Sequence, residues 1–296
     1  MINPSSGSLQ RRADMRLQSD WVEAARADPH TRYLVSRGTA HLVWREPTPS
    51  IAFLSGEDEA IGAIDPSRLI LLGWFRGERC VLVDLPPELS LNPPGAVYDE
   101  LRPLLPLQSA DEAQLLTYAR ALLVWRSRQR HCGVCGAPTQ PRNAGHVLVC
   151  TNPACQSEFF PRIDPAIIVL VTDGSKALLG RQASWPAGRY SALAGFVEPG
   201  ESLEEAVARE VEEETGVSID SARYFASQPW PFPASLMLGF HAHATAGQIK
   251  LDGELEDARW FELEELRGSP AVLLPPAHTI ARRLLEAWFR SQAPAS

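Results

Sequence analysis

Residues 195–217 read GFVEPGESLEEAVAREVEEETGV, and their order predicts a loop, a capped helix and a row of carboxylates. Ser202 followed three residues later by Glu205 is a capping box, in which the hydroxyl accepts from a backbone amide and the carboxylate reaches back. A helix is expected from about Ser202 to Thr215, with Gly216 as a left-handed C-terminal cap. Along it Leu203, Ala206, Val207 and Val211 form an apolar stripe that suits packing on a sheet. Glu210, Glu213 and Glu214 stand at i, i+3 and i+4 and so share one face. Like charges so placed repel unless a cation sits among them. Hard oxygen donors with room for water suit Mg²⁺ or Mn²⁺, which also bridge phosphate oxygens. A solvated acidic face is the other reading of a Glu-rich helix, but Arg209 and the loop before it favour the metal. Beside bound phosphate oxygens such a metal neutralises charge and acidifies a water, and a nearby carboxylate takes or orients the proton. Spacing leaves open which carboxylate that is.

Ten residues after this stretch, 227–237 read SQPWPFPASLM. Pro229, Pro231 and Pro233 at alternate positions predict an extended backbone poor in hydrogen bonds, with Trp230 and Phe232 at rigid spacing. A stiff apolar arm beside a phosphate-cleaving centre suits walling a flat aromatic base. An edge strand whose aromatics plug a core fits the composition equally.

A third pattern lies upstream. Cys132-Gly-Val-Cys135 is followed by Cys150 and, after four intervening residues, by Cys155. Two thiolate pairs across a short loop are the donor set of a tetrahedral structural Zn²⁺, and Gly133 and Gly136 ease the turn around it. The second pair departs from the commoner C-x2-C spacing. Disulfides are the alternative; the lack of a secretory core and an odd fifth cysteine weigh against them. A redox C-x-x-C is disfavoured by the second pair. Cys80, in the apolar run CVLVDL, reads as a buried bystander.

Gly195, Glu201, Arg209, Glu210, Val211, Glu213, Glu214, Gly216 and Val217 match every position of the Nudix box, so the chain resembles Nudix hydrolases. Residues 227–235 are similar to the SQPWPFPxS signature of the NADH pyrophosphatase branch, and a zinc ribbon just ahead of the box is that branch's arrangement. The resemblance implies that Glu210, Glu213 and Glu214 bind divalent metal, with Glu214 the foremost metal-linked base, and that the carbonyl of Ala194 adds a ligand. Arg209 is expected to orient Glu201 by an ion pair rather than to touch substrate, while Gly195 and Gly216 serve the box structurally. The resemblance further places Glu254, six residues before Trp260, as a metal carboxylate outside the box, although Glu256 and Asp257 lie close by. It puts Gln228, Pro229, Trp230, Pro231, Phe232, Pro233, Ala234 and Ser235 on the dinucleotide, Phe160 and Phe196 as stacking aromatics, and the backbone of Ala281 on substrate. Phe160 stands where the branch often has tyrosine, and Phe159 and Phe160 could equally pack the ribbon.

The implied fold is α+β: a Nudix α/β/α sandwich with a mixed sheet (161–296), preceded by a zinc ribbon (128–160) and an N-terminal α/β domain resembling a worn Nudix fold (1–127). In that first part HLVW, IAFL, LILLGWF and CVLVDL read as short strands, FRGERC as a hairpin, and the run from Asp111 as an amphipathic helix. The implied activity is hydrolysis of NADH, and less readily NAD⁺, to nicotinamide mononucleotide and AMP, with removal of an NAD cap from RNA by the same chemistry. The alternatives are a Nudix hydrolase of ADP-ribose or another nucleoside diphosphate derivative, or a non-catalytic nucleotide-sensing module. The resemblance also implies a homodimer.

At 296 residues and 45% hydrophobic content, the chain is long enough for more than one core. No apolar run reaches membrane-spanning length, and neither MINPSSGSLQRRADM nor the final QAPAS is a recognisable address, so a cytoplasmic protein is expected. A net charge of −8 disfavours broad nucleic-acid affinity. Arg126, Arg128 and Arg130 could still form a local basic strip for RNA phosphates, though favouring the negative end of their helix is the preferred reading.

Overall fold

The apolar runs of the sequence become strands of paired sheets in the computed structural model, which describes residues 7–292 except 90 and 252. The terminal residues on which the targeting reading partly rests lie outside that range. The chain divides into two compact units, Met1–Arg162 and Ile163–Ser296. Among the described residues no helix is long and apolar enough to cross a membrane.

In the first unit, the strands Arg32–Arg37, Ala40–Trp44, Leu69–Phe75, Glu78–Asp84 and Ala96–Glu100 belong to one mixed sheet. FRGERC turns as expected: Arg76 and Gly77 both take positive φ (52° and 87°), the two-residue hairpin turn whose twist matches its strands. IAFL is not one strand but two short ones. Ile51 pairs with Val43 whereas Phe53 pairs with Leu34, so the run crosses from one neighbouring strand to another. The helix expected from Asp111 spans Ala110–Arg128. Its buried positions include Leu115, Leu116, Ala119, Leu122 and Leu123, and continue through Val124 and Trp125, so the last turns bury more than a single stripe. Arg126 in that last turn donates to the carbonyl of Ser67, which gives it a structural role.

The cysteine segment forms a three-stranded sheet of Thr139–Arg142, Val147–Cys150 and Glu158–Phe159. Gly145 adopts φ 87° with its Cα against Ile70; a Cβ there would lie 2.9 Å from the isoleucine Cγ1. Next to it, buried His146 is hydrogen-bonded through Nε2 to the carbonyl of Leu71 at 2.8 Å. Burial, the larger effect, pulls the His146 pKa down to about 4, so the ring is neutral at ordinary pH.

The second unit is built on the strand Asp164–Asp173. It runs parallel to Ser235–His243 and antiparallel to Lys176–Arg181 and Leu193–Phe196, which makes the sheet mixed. Alternation along this strand produces the layers. Ile167, Val169 and Val171 pack with Ala206, Val207 and Val211 of the box helix, Leu203–Thr215. Ile168 and Leu170 join Ile280, Ala281, Leu284, Leu285 and Trp288 of the C-terminal helix, Ile280–Ser291. A helix on each face of a mixed sheet is the α/β/α sandwich expected from the resemblance.

Candidate active site

The box helix begins and ends where its caps dictate. Ser202 Oγ accepts from the Glu205 amide, Glu205 Oε2 accepts from the Ser202 amide, and Gly216 closes the helix at φ 67°. Gly195 lies on the adjacent strand Leu193–Phe196, and a Cβ built on it would fall 1.9 Å from the Glu210 carboxyl carbon. The Glu210 carboxylate therefore rests directly against the strand backbone, one residue from Ala194, whose carbonyl is a candidate ligand.

Arg209 organises the carboxylates. Its Nε and Nη2 donate to the two oxygens of Glu201 at 2.5 and 3.0 Å, and Nη2 also donates to the carbonyl of Phe196 at 2.9 Å. The ion pair with Glu201 agrees with the sequence reading; the further bonds from Nη1 to Glu210 and Glu213, both 2.9 Å, go beyond it. This guanidinium, with help from the Glu198 amide, holds the Glu201 carboxyl down at about 2. Glu210 moves the other way. Burial, with added repulsion from Glu213 and Glu254, raises its pKa against the pull of Arg209. Glu214 is 4% exposed. One guanidinium faces a crowd of carboxylates here.

The neighbours of Glu254 are engaged elsewhere. Glu256 binds Arg181 at 2.5 Å, and Asp257 accepts a short hydrogen bond from the Tyr190 hydroxyl. The charge of Glu254 is among those that raise the Glu210 pKa.

The proline-rich arm departs from expectation. The edge strand Ser221–Trp230 is extended through Pro229, but the chain then reverses over 231–234 and returns as Ser235–His243, with Trp230 opposite Ser235. The Phe232 amide donates to the Trp230 carbonyl at 2.8 Å, a local bond that tightens the reversal. Trp230 and Phe232 meet edge to face at 5.1 Å. Pro231 is buried, and Pro233 at the turn is exposed. The amide of Gln228 bonds to the start of the C-terminal helix, where Ala281 is buried. Phe196 is 58% exposed beside the box; Phe160, in the first unit, is 64% exposed and so is no core residue. Arg282 pairs with Glu286 one turn along its own helix.

In the first unit the four sulfurs of Cys132, Cys135, Cys150 and Cys155 lie within 4.8 Å of one another. Sγ–Sγ distances of 3.7 Å (Cys132–Cys155) and 3.4 Å (Cys135–Cys150) are close to the edge of about 3.8 Å that tetrahedral Zn–S bonds near 2.3 Å require. The Val134 and Asn152 amides point at Cys132 and Cys150 sulfur, each at 3.4 Å. Cys155 meets the Ser157 hydroxyl at 3.1 Å, and this bond leads the effects that push its thiol down to about 6, towards the thiolate a metal needs. The longer second loop still closes the set. Cys80 is buried elsewhere.

Three consecutive segments match known families: an NADH pyrophosphatase-like rudimentary NUDIX domain over 30–125, an NADH pyrophosphatase zinc ribbon domain over 127–160, and a NUDIX domain over 162–288. The NAD-capped RNA hydrolase NudC of Mycobacterium bovis is 39% identical over 303 residues, which span 94% of this chain and 91% of that protein. The chain belongs to the NADH pyrophosphatase branch of the Nudix family. NudC of Stutzerimonas stutzeri is 46% identical over 219 residues (74% of this chain, 76% of that one), and the human NAD-capped RNA hydrolase NUDT12 33% over 335 (95% and 72%). The cysteine cluster of this Nudix hydrolase is accordingly a structural zinc site.

What the sequence does not reveal in this Nudix hydrolase is mostly the company a residue keeps. Spacing pairs Arg209 with one carboxylate, whereas the folded chain gives it three. The box glycine does carry a signal, since a glycine inside a strand often marks close approach of another group. Gly195→Ala is expected to lower turnover by about 10²-fold with little change in thermal stability, because displacing a site carboxylate by an ångström is enough. Steady-state kinetics alongside a melting curve would check this.

Proposed function

We propose that this enzyme hydrolyses the pyrophosphate of NADH, and less readily NAD⁺, to nicotinamide mononucleotide and AMP, and that it removes the NAD cap from RNA 5′ ends. Water adds across one P–O–P bridge: its oxygen joins the phosphorus under attack, and the bridging oxygen leaves on the other phosphate. The names of the relatives support NAD-capped RNA, and the NADH pyrophosphatase domain matches support the free dinucleotide. The observation that carries the reading is the burial of Glu214 one helical turn from Glu210, which is itself pressed on Gly195 beside Glu213 and Glu254. Such crowding is costly unless cations join the set.

Mg²⁺ or Mn²⁺ fits this all-oxygen donor set, with Glu210, Glu213, Glu214, Glu254 and the Ala194 carbonyl as the ligands. When bound, a divalent cation neutralises phosphate charge and acidifies water. The protein's own groups do the rest. Glu214 takes or orients the proton of the attacking water. Arg209 fixes the geometry of Glu201, Glu210 and Glu213. Pro229–Ser235, Phe196 and Ala281 form the dinucleotide site, and Phe160 keeps the stacking role that the family resemblance gives it. Domain limits of 1–127, 128–160 and 161–296, a homodimeric assembly and a cytoplasmic location complete the reading.

Turnover of free NADH, NAD-capped RNA and ADP-ribose at equal concentration tests it. Both NAD-linked substrates are expected to exceed ADP-ribose by at least about tenfold in kcat/KM. Preference for ADP-ribose would favour a general nucleoside diphosphate hydrolase, and binding without turnover a sensor module.

A further inference from the structure

We propose that Gln228 is a positioning residue that ties the proline-aromatic hairpin to the first turn of the C-terminal helix, rather than a group that touches the dinucleotide. Its Oε1 accepts from the Ile280 amide at 2.7 Å, and its Nε2 donates to the His278 carbonyl at 2.8 Å. One side-chain amide thus brackets Thr279, the N-cap. Thr279 itself accepts from the Arg282 amide at 3.3 Å and donates to the Pro276 carbonyl at 2.8 Å. A helix start leaves its first amides without intrahelical partners, and a cap residue's side chain serves those at its second or third position. Here the first-position amide of Ile280 is served by a strand fifty-two residues away in sequence.

The chemistry requires glutamine. The clamp needs an acceptor and a donor side by side, which glutamine has, ionised glutamate lacks in part and leucine lacks entirely. A second contact fixes the same point independently. Ile280, 2% exposed, packs over Gly239 on the returning strand, where a Cβ would lie 2.7 Å from the isoleucine Cδ1 and 3.1 Å from the Ala226 carbonyl. Gln228 and Gly239 therefore hold Ile280 from two directions, and Ala281 follows it in the chain. The functional consequence rests on the preceding assignment of the hairpin and Ala281 to the dinucleotide site: loosening the clamp weakens substrate binding more than it slows the chemical step.

The test uses the full chain with Gln228→Leu, Gln228→Glu and Gly239→Ala. Amide hydrogen exchange over 278–284 is read without substrate, and kcat and KM are read on NADH. In Gln228→Leu, exchange should accelerate about fivefold or more and KM should rise about tenfold, with kcat falling less than about threefold. Gln228→Glu, which keeps an acceptor for Ile280, should fall between this variant and the parent. Gly239→Ala should raise KM similarly, and the Leu and Ala changes combined should be less than additive because both act through Ile280. Unchanged exchange with a raised KM would make Gln228 a ligand-touching group; faster exchange with unchanged KM would make it merely structural. Either result overturns the proposal. If Gln228→Leu does not fold, the other two variants decide. If the parent enzyme does not hydrolyse NADH, the functional reading fails, while the substrate-free exchange still judges the clamp.

Discussion

Glu214→Gln is expected to lower turnover of NADH by about 10³-fold or more while the melting temperature stays level or rises. Both halves follow from the same geometry. The substitution preserves shape but replaces one carboxylate oxygen with an amide nitrogen, which neither accepts a proton nor ligates a cation. The side chain is 4% exposed and one helical turn from Glu210, so its charge is held where water screens it least. The caps and apolar stripe that build the helix do not involve that charge. The Ser202–Glu205 capping box, the Gly216 cap and the packing of Val207 and Val211 are untouched. Removing one negative charge from a crowded face relieves repulsion, which favours a level or higher melt. Single-turnover kinetics at saturating Mg²⁺ or Mn²⁺, paired with a melt, would check both. Activity within tenfold of the parent would remove Glu214 from the chemistry, and a collapsed melt would show that the charge is structural.

Local rules make the box helix legible from its residues alone. Caps, apolar stripe and carboxylate row all depend on residues within four positions of one another, and helix geometry brings such residues together without reference to the rest of the fold. The cysteine cluster is readable for a related reason: metal coordination imposes a short list of spacings. Sequence patterns fall short where contacts join distant residues. The proline arm reads as extended because each proline fixes its own φ, yet proline also suits turns, and the pairing of Trp230 with Ser235 selects the reversal. IAFL looks like a single strand because periodicity reports burial and not which neighbour supplies the hydrogen bonds. Glu254, Glu256 and Asp257 are indistinguishable as letters. Arg181 and Tyr190, each more than sixty residues away, separate them by engaging Glu256 and Asp257.

The zinc ribbon offers the other large effect. Purified protein should hold about one tightly bound Zn²⁺ per chain, and Cys150→Ser should abolish it. Cys150 is buried at the end of the strand Val147–Cys150, and its amide donates to the Ser157 carbonyl across the knuckle. The segment around it has strands of two to four residues and a small share of buried apolar side chains, chiefly Val147, Leu148 and Val149. A fold that small needs a staple, and zinc binding to four cysteines in such modules is worth roughly 10–16 kcal/mol near neutral pH, far more than this apolar burial supplies. Loss of the metal should therefore abolish exchange protection across 132–142 and 148–159. The catalytic unit, with its own cores on both faces of its sheet, should melt as before. The contacts of Gly145 and His146 with Ile70 and Leu71 anchor one end of the ribbon to the N-terminal sheet, so protection there should persist longest. Elemental analysis with site-resolved hydrogen exchange distinguishes the outcomes: active protein without zinc, or full protection in Cys150→Ser, would mean that packing rather than metal holds the knuckle.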